Sequence, residues 1–194
     1  PALFIGQDAV DEIRTSSVSD GLEDDVTDIS QIVVQANNVI TGNTNEWDNY
    51  PDGVRTETRY GDTYTAHIML IRDPSQVYMG TSTEKFSTSI PGKRLTEVME
   101  ENPDVIAAIN AGAFFDDGTV SATVGSTPLG LVVSEGKVVW TSGKQPGLEG
   151  FAGFNEDNIL VVSKTNLSQS EAENLKIRDG CCFGPVLIMN GEVN

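Results

Sequence analysis

The sequence predicts an α+β domain, a mixed or antiparallel sheet with short packing helices, interrupted at its C-terminal end. Three observations predict it. Residues 53–60 and 64–71 alternate with a period of two and are separated by turn residues, as half-exposed strands do. Leu95, Val98 and Met99 fall at i, i+3 and i+4, the spacing of a short amphipathic helix. From there to the end, short apolar runs are punctuated by turns bearing Gly, Pro and Asn.

Residues 1–45 read as an acidic N-terminal arm with short helices, ahead of the domain proper at 46–194. Phe4-Ile5, Ala9-Val10 and Ile13 lie near helical spacing, and residues 16–21 break that segment. Asp28 is a suitable N-cap for a second helix carrying Ile29, Ile32, Val33 and Ala36 on one side. Asn37-Asn38 and Thr41-Gly42-Asn43 end it. Such an arm either packs its apolar stripe on the domain or links it to a membrane anchor outside the chain.

From Tyr50 the pattern is β. Val54, Thr56, Thr58 and Tyr60 alternate against Arg55, Glu57 and Arg59; after a turn at Asp62, a second strand sets Ala66, Ile68 and Leu70 on one face. His67 alternates with that face and reads as a surface or satisfied residue rather than a catalyst. Asp73-Pro74-Ser75 makes the next turn, and 77–80 starts a third strand. The helix around Leu95 turns Glu97, Glu100 and Glu101 outward and stops at Asn102-Pro103, delivering the chain to a strand at 105–109.

That strand runs into Asn110-Ala111-Gly112-Ala113-Phe114-Phe115-Asp116-Asp117-Gly118. Thr127-Pro128-Leu129-Gly130 then leads into Leu131-Val132-Val133, which turns at Ser134-Glu135-Gly136-Lys137 and returns as Val138-Val139-Trp140. Residues 151–154 and 159–162 form a hairpin around Asn155-Glu156-Asp157-Asn158. Ser168, with Glu171 at the capping-box position, opens a helix through Leu175. The last element, 183–189, is an apolar strand ending in the hairpin signal Asn190-Gly191. Only Glu192-Val193-Asn194 follow, too few for a returning strand, so the sequence predicts that a missing C-terminal half or a second chain completes the domain.

Composition narrows the partners. At 38% hydrophobic residues the chain suits a globular protein, and no apolar run approaches a bilayer-spanning length. The net charge of −17, more than half of it in residues 1–60, argues against a nucleic-acid or anionic-membrane partner. A phosphodiester substrate remains compatible with it if the pocket is locally positive or metal-assisted. His67 is the single histidine, which excludes a multi-histidine zinc site within this chain. Cys181 and Cys182 are adjacent, too close for an ordinary disulfide, and read as small buried hydrophobes.

The stretch 105–118 is the candidate site. Small residues let a ligand approach the backbone closely, while Asn110, Asp116 and Asp117 offer an amide and two carboxylates. A plain β-turn with solvated acids fits the same residues equally well. Asp116-Asp117-Gly118 could also meet a divalent cation such as Ca²⁺, but three residues supply too few ligands to define a site.

Ile109-Asn110-Ala111-Gly112-Ala113-Phe114, followed by Pro128-Leu129-Gly130-Leu131-Val132-Val133-Ser134-Glu135-Gly136-Lys137, resembles the phosphodiester glycosidase family. The family pattern is Asn-Gly-Gly-Phe, a variable loop, then Leu-Gly or Pro-x-Gly leading into a strand that turns at a glycine. Uncovering-enzyme-like members remove N-acetylglucosamine from a phosphodiester on mannose, and many bacterial members are described as exopolysaccharide proteins. Arg72-Asp73-Pro74-Ser75 also resembles the bacterial branch. The resemblance covers roughly residues 50–194, about half of the family domain; Arg-Thr-Ala-Ile-Gly-like and Asn-Leu-Asp-Gly-Gly-Gly-Ser-like segments of the family have no counterpart here.

The resemblance implies a hydrolase that cleaves a sugar 1-phosphodiester in a surface polysaccharide or glycoconjugate, at the cell surface or outside the cell. It assigns substrate binding to Asn110, Gly112, Phe114 and Gly130. Asp116, matched by position, and Asp117 are the candidate catalytic carboxylates. Ala113 adds a methyl where the family has glycine, which bears on how closely a ligand can approach. The phosphate-binding arginine the family implies would lie beyond Asn194. The alternative is a glycan-binding or cell-surface assembly module with the same fold and no turnover.

Overall fold

A computed structural model describes the backbone of residues 32–35, and residues 47–86, 90–114, 127–143 and 149–194 in full. The elements in chain order are β1 (Ile32–Gln35), β2 (Val54–Tyr60), β3 (Thr65–Ile71), α1 (Leu95–Glu101), β4 (Leu131–Ser134), β5 (Lys137–Thr141), β6 (Phe151–Asn155), β7 (Leu160–Ser163), α2 (Gln169–Asn174), β8 (Ile177–Cys182), β9 (Ile188–Met189) and β10 (Glu192–Val193). The fold is α+β. Its main sheet has six strands in the order β1-β7-β6-β8-β4-β5, every neighbour antiparallel; β2–β3 and β9–β10 form separate two-stranded sheets.

Hairpins whose turns were legible form as expected. Glu135 and Gly136 both take positive φ (50° and 72°) between β4 and β5, the type I′ geometry that matches strand twist. Asn190 and Gly191 do the same between β9 and β10 (54° and 77°). Two residues therefore suffice for the return, against the expectation that none would fit. α2 carries the predicted capping box: Ser168 Oγ accepts from the Glu171 amide while the Glu171 carboxylate accepts from the Ser168 amide.

The main sheet buries both faces. One face carries Leu131, Val133, Phe151, Val161, Ile177 and Cys182, covered by Leu167, Ala172 and Leu175 around α2. The other carries Val132, Phe154, Leu160, Val162 and Cys181, covered by Ile71, Val77, Met79, Val186 and Met189. Adjacent residues of a strand point to opposite sides, so Cys181 and Cys182 belong to different faces. Both are free thiols buried as small hydrophobes. Burial pushes the Cys181 thiol up to about 12, and raises that of Cys182 as well.

On β2–β3 the half-buried side is not purely apolar. Register pairs Arg55, Glu57 and Arg59 with Leu70, Ile68 and Ala66, so these charged residues stand beside the apolar residues of β3 on the same face. Both arginines bond Glu57, Arg55 foremost, which holds its carboxyl below the usual range. His67 is exposed opposite Thr58, its Nδ1 3.3 Å from the Thr58 hydroxyl.

Four expectations are corrected. Residues 32–35 form edge strand β1, paired Ile32↔Ser163 to Gln35↔Leu160, rather than the second helix of the arm. Ile32, Val33 and Val34 are β-branched in succession, and the β7 edge offers them backbone partners. The first helix of the arm lies outside the described residues. Residues 77–80 are not a strand but a strap across the sheet, and 105–109 pair with nothing among the described residues, with Ile106 68% exposed. The last strand of the main sheet is Ile177–Cys182, and of the strand expected at 183–189 only Ile188–Met189 forms, as β9: Pro185 has no N–H to give a ladder, whereas Asp179 and Gly180 disguise β8.

Candidate functional site

The strap is fixed to the sheet by two charged residues of β8. Asp179 is buried; its Oδ1 accepts from the Met79 amide at 2.9 Å and the Glu135 amide at 3.2 Å, and its Oδ2 pairs with Arg178 Nη1 at 2.8 Å. Arg178 Nη2 donates to the carbonyls of Val77 (3.0 Å) and Pro74 (3.3 Å), with the guanidinium over the Phe154 ring. Ser134 Oγ donates to the Met79 carbonyl at 2.7 Å. The strap's polar backbone is thereby satisfied where it crosses the sheet. Upstream, Asp73 caps the turn by accepting from Ser75, which lowers its carboxyl pKa.

Between the strap, α1 and residues 105–114 lies a cleft of about 1100 Å³, floored by Val132, Ser134 and Cys181 of the sheet. This is close to the upper size of small-molecule sites, ~1000 Å³. Tyr78 and Phe86 line it from the strap side, Lys93 and Arg94 from the start of α1. Phe86 packs edge-on to Trp140 at 5.4 Å. Lys93 is paired with Glu101 at 2.5 Å, which raises its pKa, and Arg94 is exposed.

The turn Asn110-Ala111-Gly112-Ala113-Phe114 borders this cleft along its whole length. Asn110 is exposed. Gly112 has φ +76°, and a Cβ there would stand 3.3 Å from Cys181 Sγ and 3.7 Å from the Cys182 carbonyl, so the turn is seated directly on β8. Phe114, 45% exposed, bridges Pro128, and the Leu129 amide donates to the Ala113 carbonyl at 2.9 Å. The two ends of the intervening loop are joined there. Gly130 is buried outside the cleft, with φ +76°; its amide donates to Ser142 Oγ at 2.8 Å and its carbonyl accepts from the Ser142 amide at 3.0 Å. Asp116 and Asp117 lie outside the described residues.

Asn110, Gly112 and Phe114 are therefore brought together on one cleft, and Gly130 shapes the turn behind it. Sequence reasoning missed Asp179, Arg178 and Tyr78. Two charges beside Gly180 within an otherwise apolar strand were the available signal for the first two, since a strand of a covered sheet buries charge only when it is bonded. Among the described residues no group of three His, Cys, Asp or Glu could hold a metal ion, and no helix is long and apolar enough to cross a membrane.

A Gly-bearing turn is seated on the floor of an open, aromatic-edged cleft on an α+β scaffold, a candidate small-molecule site by its size. Residues 103–194, the segment that holds the turn, the floor and both clamp residues, match the model of the phosphodiester glycosidase family. No curated protein and no solved structure matches the chain.

Proposed function

We propose that the chain is a hydrolase that cleaves the bond between a sugar's anomeric carbon and a phosphodiester oxygen, in a surface polysaccharide or glycoconjugate at the cell surface or outside the cell. The observation that carries this reading is the turn 110–114 bordering the cleft within the family-matched segment. In the reaction, water adds its oxygen to the anomeric carbon, and the departing phosphate oxygen takes a proton. Free sugar and a phosphate monoester are released. Asp116 and Asp117 follow Phe114 in the chain and supply the carboxyls for protonating the leaving group and activating water. Asn110 and the backbone amides at Gly112 bind sugar or phosphate oxygens. Arg94 and Lys93 are the cations of the cleft's described lining, Lys93 paired with Glu101, and the carboxylates of Asp52, Glu84, Asp104 and Glu135 line it as well.

The test is release of free sugar from methyl phosphodiesters of N-acetylglucosamine 1-phosphate and of other hexose 1-phosphates, followed by chromatography. Asp116→Asn or Asp117→Asn is expected to cost about 10²-fold or more in kcat. No release from any of these substrates, or full activity in both variants, refutes the reading.

A further inference from the structure

We infer that Tyr78 is the platform on which a sugar ring stacks in this cleft, and that the Asp179–Arg178 clamp exists to hold it there; the inference rests on the cleft taking a carbohydrate. Tyr78 lies outside the family-matched segment, so nothing in that match assigns it a role. Val77, Tyr78 and Met79 all line the cleft, but Val77 and Met79 are 4% and 7% exposed and packed on the sheet, whereas Tyr78 is 44% exposed. Val77 is extended, so alternation carries the ring of Tyr78 to the side opposite the two buried residues.

The peptide units flanking Tyr78 are held with unusual thoroughness for a loop. The Val77 carbonyl accepts from Arg178 and the Val77 amide donates to the Pro74 carbonyl. The Met79 amide donates to Asp179, and the Met79 carbonyl accepts from Ser134. Loop aromatics ordinarily lose conformational freedom when a ligand orders them; here the backbone is already fixed before any ligand arrives. An exposed ring on a fixed backbone presents a preformed flat surface whose face carries negative quadrupole potential. The axial C–H groups of a pyranose, slightly positive and apolar, complement that face. The phenol hydroxyl can meanwhile exchange hydrogen bonds with ring hydroxyls. A neutral sugar also suits a protein of net charge −17 better than a polyanionic ligand would. Phe114, also lining the cleft and 45% exposed, offers a second aromatic surface beside the Gly112 turn.

The experiment is NMR titration and saturation transfer on the full chain, using methyl glycosides of N-acetylglucosamine, glucose, mannose and galactose in both anomers. Wild type is expected to bind at least one of them, with the strongest saturation on the C–H protons of one ring face. Tyr78→Ala should weaken binding by about tenfold, whereas Tyr78→Phe and Tyr78→Trp stay within about threefold because they keep the ring. Thermal melting should be unchanged in all three, since the side chain is largely outside the core. The inference is overturned if wild type binds none of the sugars, if Tyr78→Ala binds as wild type does, or if Phe and Trp fail as badly as Ala. Sugar binding that depends on Tyr78 with no cleavage of any phosphodiester would instead sink the hydrolase reading and leave the platform standing.

Discussion

Replacing Asp179 tests whether the strap is fastened as the structure indicates. Asp179→Ala leaves the buried Met79 amide with no acceptor, at about 1–3 kcal/mol. The Glu135 amide is closer to solvent and adds little. Arg178 loses its carboxylate but keeps its bonds to Pro74 and Val77, and its side chain is 22% exposed, so its cost is a fraction of that for a fully buried unpaired charge. The sum is about 2–4 kcal/mol. Asp179→Asn keeps an oxygen toward Met79 and gives up only the charge facing Arg178, so it should cost about half as much. Urea unfolding at pH 7 reads both as a lower midpoint at unchanged slope. Hydrogen exchange should show the Met79 amide losing protection in Asp179→Ala. A loss below about 1 kcal/mol for Asp179→Ala, or Asn costing as much as Ala, would refute the clamp.

Gly180→Ala should destabilise by about 3 kcal/mol, read by thermal melting, because its Cβ would stand 2.6 Å from Phe151 Cζ and 2.8 Å from the Ala152 carbonyl, neither free to yield. Ser168→Ala should cost about 1 kcal/mol through loss of the cap on α2, with Ser168→Asp retaining most of it. Gly112→Ala should cost about 1–2 kcal/mol from its positive φ and more from the contact with Cys181; Cys181→Ala in the same chain should recover the contact part but not the backbone part, as a double-mutant cycle in urea would show. The Cys181 thiol, pushed up to about 12, has its neutral form favoured by the fold, so its contribution is complete below its ordinary value of 9.0 and is lost as pH rises toward 12. Wild-type stability should therefore fall toward Cys181→Ala by about 1.4 kcal/mol per pH unit above 9 in urea titrations.

What was legible depended on whether the information was local. The β4–β5 and β6–β7 hairpins and the α2 capping box are specified within about a dozen residues by turn chemistry and period, and all three form. Strand β8 was missed because Arg178, Asp179 and Gly180 break the apolar pattern. Their reasons lie about a hundred residues away, at Val77 and Met79, and across the sheet, where the Phe151 ring fills the space above Gly180. The run at 105–109 was read as a strand because apolarity alone does not distinguish a paired segment from one that lines a cleft. Of the candidate site, the Asn110–Phe114 turn was legible as a turn from its small residues and borders the cleft, whereas Gly130 lies outside the cleft, where its positive φ turns the backbone into β4.

The adjacent cysteines show how the scaffold and the site depend on each other. Alternation sends Cys182 into the core under α2 and Cys181 to the face that Val77 and Met79 cover. That second face is not covered completely: the strap crosses it at β8, and beyond Met79 the floor opens at Val132, Ser134 and Cys181. A small apolar side chain at Cys181 lets the Gly112 backbone settle within van der Waals contact of the sheet. Two and three residues earlier in the same strand, Asp179 and Arg178 hold the opposite wall. Four of the five residues 178–182 of β8 thus set the inner core, the cleft floor and the strap, which ties the geometry of the site to a largely buried strand inside the sheet rather than to the loops that border it.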